Sequence, residues 1–390
     1  MCRPTSTRVR ALTQASRPLA PGPRKLHNAP RTIPGTRFAW FPSFLENPAS
    51  MAYLKTLSLG LLALLATHAA FAGPVLDRIH TAKSLACGVI KEEEDYSRAT
   101  DHGNRAAFDL DLCKAAAVAT LGLGANFTIS VFPDEPAGVK ALKEGRLDLL
   151  ASASPSLNNT AQGLGFAPVT FHDGETLMVP NSAAVHSAAD LAGKKICFVI
   201  TSQSEAGLRT YAARKHISYI WYPFSEVGEM EAAFFTGNCA GLAGDVSQLA
   251  NTRAINRAQS ANYTILADTF RHDPLAPAYR SVDPQFAAIV NATVELLFAA
   301  EALGVTRSNV DAMASSEDPE IHELLGHKLG SGSLLNINDQ WGAQVIKSVG
   351  NYGEMFDRDL GKDSPLRIDR GADRLWEQGG VLYPMVPVNQ

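Results

Sequence analysis

Beyond residue 72, this 390-residue sequence contains no apolar run that approaches the length of a membrane span, which takes about 20 consecutive apolar residues. It has no low-complexity tract there, and no internal repeat beyond a loose likeness among strand–helix–strand units. No C-x-x-C pair or Cys/His cluster is present, so nothing points to a structural or catalytic metal. His322 and His327 are five residues apart, off the i, i+4 spacing that puts two ligands on one helix face. His102, His172, His186, His216 and His272 are scattered. There is no G-x-S-x-G, and the closely spaced carboxylates Asp109 and Asp111 read as structural groups flanking a helix start. The sequence therefore nominates no catalytic residue, metal ligand or cofactor, and the chain reads as a non-enzyme. The sharpest absence is local. Between Asp148 and Asp173 there is no Asp, Glu, Lys or Arg, and the stretch "SASPSLNNTAQGLGF" (Ser152–Phe166) follows the apolar run "LDLL" directly.

The remaining composition, 46% hydrophobic and 19% charged, is that of a globular chain long enough for two lobes. Its net charge of -4 conceals an asymmetry. Residues 1–50 hold eight Lys/Arg and one acid, Glu46, with much Pro and Ser and no hydrophobic period. Such a segment buries too little apolar surface to offset its chain entropy. Met51 opens "MAYLKTLSLGLLALLATHAAFAGP": Lys55, an apolar core from Leu57 to Ala66, then Ala70-Phe71-Ala72. This is the pattern of a secretory leader cleaved after Ala72. Met51 is then the expected start and 1–50 an upstream extension; a transit or pro-segment is the other reading. Removing 1–72 takes nine of 35 basic and one of 39 acidic residues, leaving 26 and 38, a net -12. An acidic chain of this kind is a poor partner for nucleic acid.

Four cysteines follow the leader, Cys87, Cys113, Cys197 and Cys239. An even number in an exported chain argues for disulfides. Three pairings are possible, of which Cys87–Cys113 with Cys197–Cys239 joins neighbours within each half of the chain. Along the sequence, short β-type runs alternate with helical patterns: "ACGVI", "FTISVF", "RLDLLASA", "KKICFVI", "SYIWYPF" and "CAGLAGD" as strands, "FDLDLCKAAAVATLG", "PAGVKALKEG", "SEAGLRTYAARK" and "VGEMEAAFFTGN" as helices. This alternation predicts an α/β fold with mixed, mostly parallel sheets, in which ligands sit beyond the carboxyl ends of strands. "TFHDGETLMVPNSAAVHSAADLAG" reads as a strand leaving one lobe and a short helix opening the next. "PQFAAIVNATVELLFAAEALG" (Pro284–Gly304) reads as a long helix with an apolar stripe.

Five stretches carry a resemblance: "CGV" at Cys87, "FDLDLCKA" at Phe108–Ala115, "ALKEGRLDLL" at Ala141–Leu150, "DPLAPAYR" at Asp273–Arg280, and "VIKSVGNYGEMFDRDLGKDSPLRIDRGADRLWEQGGVLY" at Val345–Tyr383. With them the sequence resembles the periplasmic solute-binding proteins of ABC transporters, in the polar amino-acid family and its general L-amino-acid-binding branch. The cysteines stand where that branch has them, in agreement with the two pairings above. The resemblance implies a two-lobed type II periplasmic-binding-protein fold with a two-strand hinge. Lobe one would comprise 73–180 and 269–390, lobe two 181–268. A small polar solute would bind between the lobes of a periplasmic monomer, and hinge closure would present it to ABC permease subunits in the membrane.

The family holds an amino acid through an Arg after the "D-(V/L)-L" strand, a polar turn in lobe two, and an acid at the end of a later strand. Asp245, in "CAGLAGD", matches the acid and is the expected ammonium partner; capping of the following helix is its structural alternative. Tyr96 falls at the place of a loop aromatic, whereas Glu92, Glu93 and Glu94 read as a solvated face. At the Arg position the sequence has Thr160, and two further contact positions are Ser156 and Leu157. "ITSQSE" (Ile200–Glu205) replaces the S-G-T-T turn, with Ser202, Gln203 and Ser204 polar and Thr201 in place of Gly. The expected ligand set is Asp245, Tyr96, Ser154, Ser156, Thr160, Ser202 and Gln203. Loss of the Arg removes a pair worth roughly a few kcal/mol to a carboxylate. The expected cargo is an amino acid or a related small amine-bearing solute; the missing Arg argues against an ordinary α-amino acid, with Arg98 or Arg105 as candidate substitute cations. Two alternatives remain open at this stage: a sensing or interaction module that has lost its cargo, and a lyase or dehydratase on the same fold.

Overall fold

The strand Ser84–Ile90 (β1) lies between two parallel neighbours, Asn126–Phe132 (β2) and Leu149–Ala153 (β3). Each is followed by a helix, as the alternating pattern requires. The computed structural model that shows this describes residues 73–91, 105–256, 260–326 and 331–385. The upstream extension 1–50, the expected leader 51–72, Tyr96 and Arg98 lie outside the described residues. The helix Arg105–Leu121 begins ahead of the predicted Phe108, so Asp109 and Asp111 lie within it rather than flanking its start. Both are structural in this setting. Asp109 is 1% exposed and accepts the Ser152 hydroxyl at 2.5 Å, and Asp111 pairs with Arg358. Ala115–Ala119 are all buried, so the helix is enclosed on every side, and its small residues let neighbouring elements sit close.

Two ten-residue strands cross between the lobes, Phe171–Pro180 (β5) and Arg271–Arg280 (β10). The first half of β10 runs antiparallel to β5, with Arg271 opposite Glu175 and Asp273 opposite Asp173. Its second half pairs with β3 and with Leu164–Phe166 (β4). The register shifts between Ala276 and Ala278, at Pro277; proline lacks the N–H for a regular ladder and is confined to such bulges or to edges. Pro274 and Pro277 also explain why "RHDPLAPAYR" does not announce itself as a strand. Beyond Glu175, β5 pairs with Gly241–Asp245 (β8) and Tyr263–Ile265 (β9). Strand β8 leads to Lys195–Val199 (β6) and the edge strand Ile220–Phe224 (β7), all parallel. The full order is β2-β1-β3-β10-β5-β8-β6-β7.

Each half has its own core. Phe108, Phe286, Tyr352 and Phe356 fill the first, while Leu177, Ile196, Phe198 and Leu208 fill the second. Disulfides join Cys87 to Cys113 and Cys197 to Cys239, with Cα atoms 5.9 and 5.7 Å apart. Each ties a strand to a neighbouring segment of its own half. The helix Pro284–Ala302 is apolar and long enough to cross a membrane by length and composition. Its Phe286, Ile289, Val290, Val294 and Leu297 are instead buried in the first core. Asp283 caps that helix through the Phe286 N–H and also accepts the N–H groups of Val75 and Leu76, so one carboxylate secures two helix starts. The C-terminal segment is fastened to the crossing strand, where His172 N–H and Nδ1 both meet Asp373 Oδ1, at 3.0 and 2.7 Å.

Candidate functional site

At the lobe junction, backbone register gathers charged groups that are far apart in sequence. Strand β8 ends on Asp245, which stands opposite Glu175 of β5. Asp173 lies two residues back on β5, hence on the same face, opposite Asp273 of β10. Four carboxylates meet there, with Arg271 as their cross-strand cation. Like charges directly opposite are destabilising, and hydrogen bonds relieve part of the strain. Asp173 accepts the Ser247 hydroxyl at 2.5 Å and the Gly174 N–H at 2.8 Å. Asp273 accepts the Ser154 hydroxyl at 3.1 Å. Glu175, 2% exposed, receives hydrogen bonds from Ser204 and from Asp245, yet its Oε2 has no partner.

Relief is incomplete, and proton affinities show it. Burial first, then the charges of Glu175 and Asp173, push the Asp245 carboxyl up to about 8. Burial also raises Glu175, opposed by its hydrogen bonds and by Arg271. At neutral pH the Glu175–Asp245 pair therefore holds a proton in the hydrogen bond between its two carboxyls. Asp245 occupies the cap position before the helix Val246–Ile255, but its side chain makes no capping hydrogen bond. Its carboxyl is committed to the acidic cluster rather than to the helix.

Asp245 borders a cavity of about 380 Å³. Ser202, Ser204 and Ser247 line the same cavity, together with Lys91, at the end of β1, and Arg105, at the start of its helix. The sequence-predicted residues divide around it. Asp245 and Ser202 line the cavity, but the Ser202 hydroxyl already donates to Val199 O at 2.6 Å and accepts the Glu205 N–H at 3.1 Å. Gln203 is exposed and is not part of the lining. Ser154 donates to Glu135 at 2.8 Å as well as to Asp273. Ser156 caps the short helix Leu157–Ala161 and lines a second hollow of about 600 Å³ with Glu135, Asn159 and Lys143. Thr160 is exposed on that helix and lines neither hollow, and Leu157 is 92% exposed. The uncharged stretch after β3 thus organises Glu135, whose Oε1 accepts Asn159 Nδ2 and whose Oε2 accepts Ser154.

Sequence reasoning missed Asp173, Glu175, Asp273, Ser247 and Lys91. The available signal was charge alternating at i, i+2 inside apolar strands, Asp173/Glu175 and Arg271/Asp273, the mark of a charged stripe on one face of a sheet.

Thr201 precedes the lobe-two helix at φ 59°. A β-branched residue in this left-handed region is strained by about 1–2 kcal/mol, and glycine's extra chain entropy offsets part of any gain from relieving it. Thr201→Gly is expected to stabilise the protein by about 0.5–1 kcal/mol, read as a higher urea midpoint at unchanged slope.

No family model matches the chain. Over 307 residues it is 35% identical to the general L-amino acid-binding periplasmic protein AapJ of Rhizobium johnstonii, a match covering 77% of this chain and 88% of that protein. This chain belongs to the periplasmic amino-acid-binding proteins of ABC transporters. It is also 30% identical over 333 residues to the putative amino-acid ABC transporter-binding protein YhdW of Escherichia coli, covering 85% of this chain and 97% of the relative. A solved ABC transporter periplasmic binding protein from Brucella ovis with glutathione bound superposes with a TM-score of 0.66 at 28% identity, over 80% of this chain and 98% of that one. The two-lobed type II fold expected from the sequence is thereby shown for the family member at hand.

Proposed function

We propose that this chain is the substrate-binding subunit of an ABC importer and that it carries a small solute through an ammonium group held at Asp245. One observation carries this reading: Asp245 lines the interlobe cavity inside a buried cluster of carboxylates that lacks cations enough to neutralise it. A ligand ammonium supplies the missing positive charge and displaces the Asp245 proton. The relatives' amino-acid cargo and the glutathione of the Brucella ovis protein both bear an α-ammonium group, which supports the same chemistry here. In this reading lobe one comprises 73–180 and 269–390, lobe two 181–268, and β5 and β10 form the hinge. Residues 51–72 would direct export to the periplasm, where the monomer hands its cargo to permease subunits. Mass spectrometry of small molecules released on denaturing the purified protein tests the proposal. An amine-bearing compound in stoichiometric amount is expected; a purely anionic or neutral cargo would overturn it.

A further inference from the structure

The anchor for the ligand's other end is a separate problem. No Lys or Arg lies between Asp148 and Asp173, and Thr160 does not line the cavity that Asp245 borders. That cavity nevertheless has cations, Lys91 and Arg105, both from lobe one, while Asp245 belongs to lobe two. The charges that act most strongly on Asp245 are Glu175, Asp173 and Asp273, all carboxylates, with neither Lys91 nor Arg105 among them. The Arg105 guanidinium instead acts on Asp109 of its own helix. The cations line the cavity from lobe one and the acid lines it from lobe two.

The cavity is wider than the separation of the two charges at the Cα of an amino acid. There the ammonium nitrogen and carboxyl carbon are about 2.5 Å apart, by the standard lengths and angle at Cα. A cavity of 380 Å³ equals a sphere roughly 9 Å across, and an extended peptide gains about 3.3–3.6 Å per residue. Resting on the amine reading above, we infer that Lys91 and Arg105 bind the ligand's carboxylate and that the cargo is a short peptide, two or three residues long, with free termini. Its N-terminus meets Asp245 and its C-terminus meets the two cations. Gln248 lines the same cavity, and its amide offers hydrogen bonds to peptide groups. Because the two anchors belong to different lobes, such a ligand draws the lobes together, which an amine bound at Asp245 alone would not do.

Titration calorimetry with trialanine, trialanine amide and L-alanine tests the inference. Trialanine is expected to bind at least about tenfold more tightly than either of the others, since each lacks one properly placed charge. In the double variant Lys91→Ala/Arg105→Gln the acid and the amide should bind within about twofold of each other, and in each single variant their difference should shrink. The exposed Lys91 makes its variant the safer one, because Arg105 also faces the buried Asp109. Equal binding of acid and amide to the unmodified protein would overturn the inference while leaving the ammonium site standing, as would L-alanine binding as tightly as trialanine. Loss of both acid and amide binding in Lys91→Ala, with an unchanged melting temperature, would also overturn it. Failure of all three compounds to bind would remove the amine reading and this inference together.

Discussion

Asp245→Asn is expected to weaken trialanine binding by about a hundredfold while the folded protein persists. The asparagine keeps the shape of the side chain and a donor toward Glu175, so the hydrogen bond that Asp245 makes at neutral pH is retained. What disappears is the capacity to become an anion when an ammonium arrives. Truncating one side of a buried charge pair costs about 2–5 kcal/mol, and 1.4 kcal/mol is a factor of ten in affinity. The same substitution should make the unliganded protein less sensitive to alkali. Asp245 has its folded-state affinity for protons raised, from the ordinary 3.8 to about 8. A group shifted upward contributes stability that is fully present below its unfolded value and is lost as pH rises through the folded one. The unliganded protein should therefore lose stability between about pH 4 and pH 8, and Asp245→Asn should flatten that decline. Melting curves across this range, with calorimetry of the same samples, check both parts. Unchanged binding in a folded Asp245→Asn protein would remove Asp245 from the site.

The second large effect is on binding as a function of pH. An ammonium that occupies the carboxylate cluster competes with the Asp245 proton. Well below the Asp245 value, one proton leaves for each ligand bound, so affinity rises about tenfold per pH unit. It should level off near pH 8, where Asp245 is already ionised. A suitable probe is 6-aminohexanoate, whose ammonium resembles that of lysine and stays charged to about pH 10. A peptide N-terminus, which titrates near 8, should instead show a maximum around that pH. The rise between pH 6 and pH 7 is the decisive region, since both probes are largely protonated there. A flat profile would mean that Glu175 and Asp245 are both ionised before the ligand arrives, contrary to the charge crowding seen at the junction.

How far the sequence reaches toward this account depends on the element. Strands such as Lys195–Val199 and Gly241–Asp245 stand out because short apolar runs alternate with helices, and the disulfide partners follow from their positions within each half. Asp245 is legible through the family resemblance, by its spacing after Cys239 in "CAGLAGD". Its neighbours are not, because Asp173, Glu175 and Asp273 meet it only through the pairing of β5 with β8 and β10, and long-range register has no local signature. The two prolines of β10 hide that strand further. For Thr160 the sequence shows which residue stands there but not its exposure, which follows from the short helix capped by Ser156. Lys91 and Arg105 are separated by 13 positions in the sequence and become neighbours in function only as walls of one cavity.

The central claim is an exchange of the Asp245 proton for a ligand ammonium. Calorimetry of 6-aminohexanoate at about pH 6.5, in two buffers of different ionisation enthalpy, measures that exchange directly. The account predicts release of close to one proton per ligand, and no release with binding reduced about a hundredfold in Asp245→Asn. Binding without proton release, equally tight in Asp245→Asn, would contradict it.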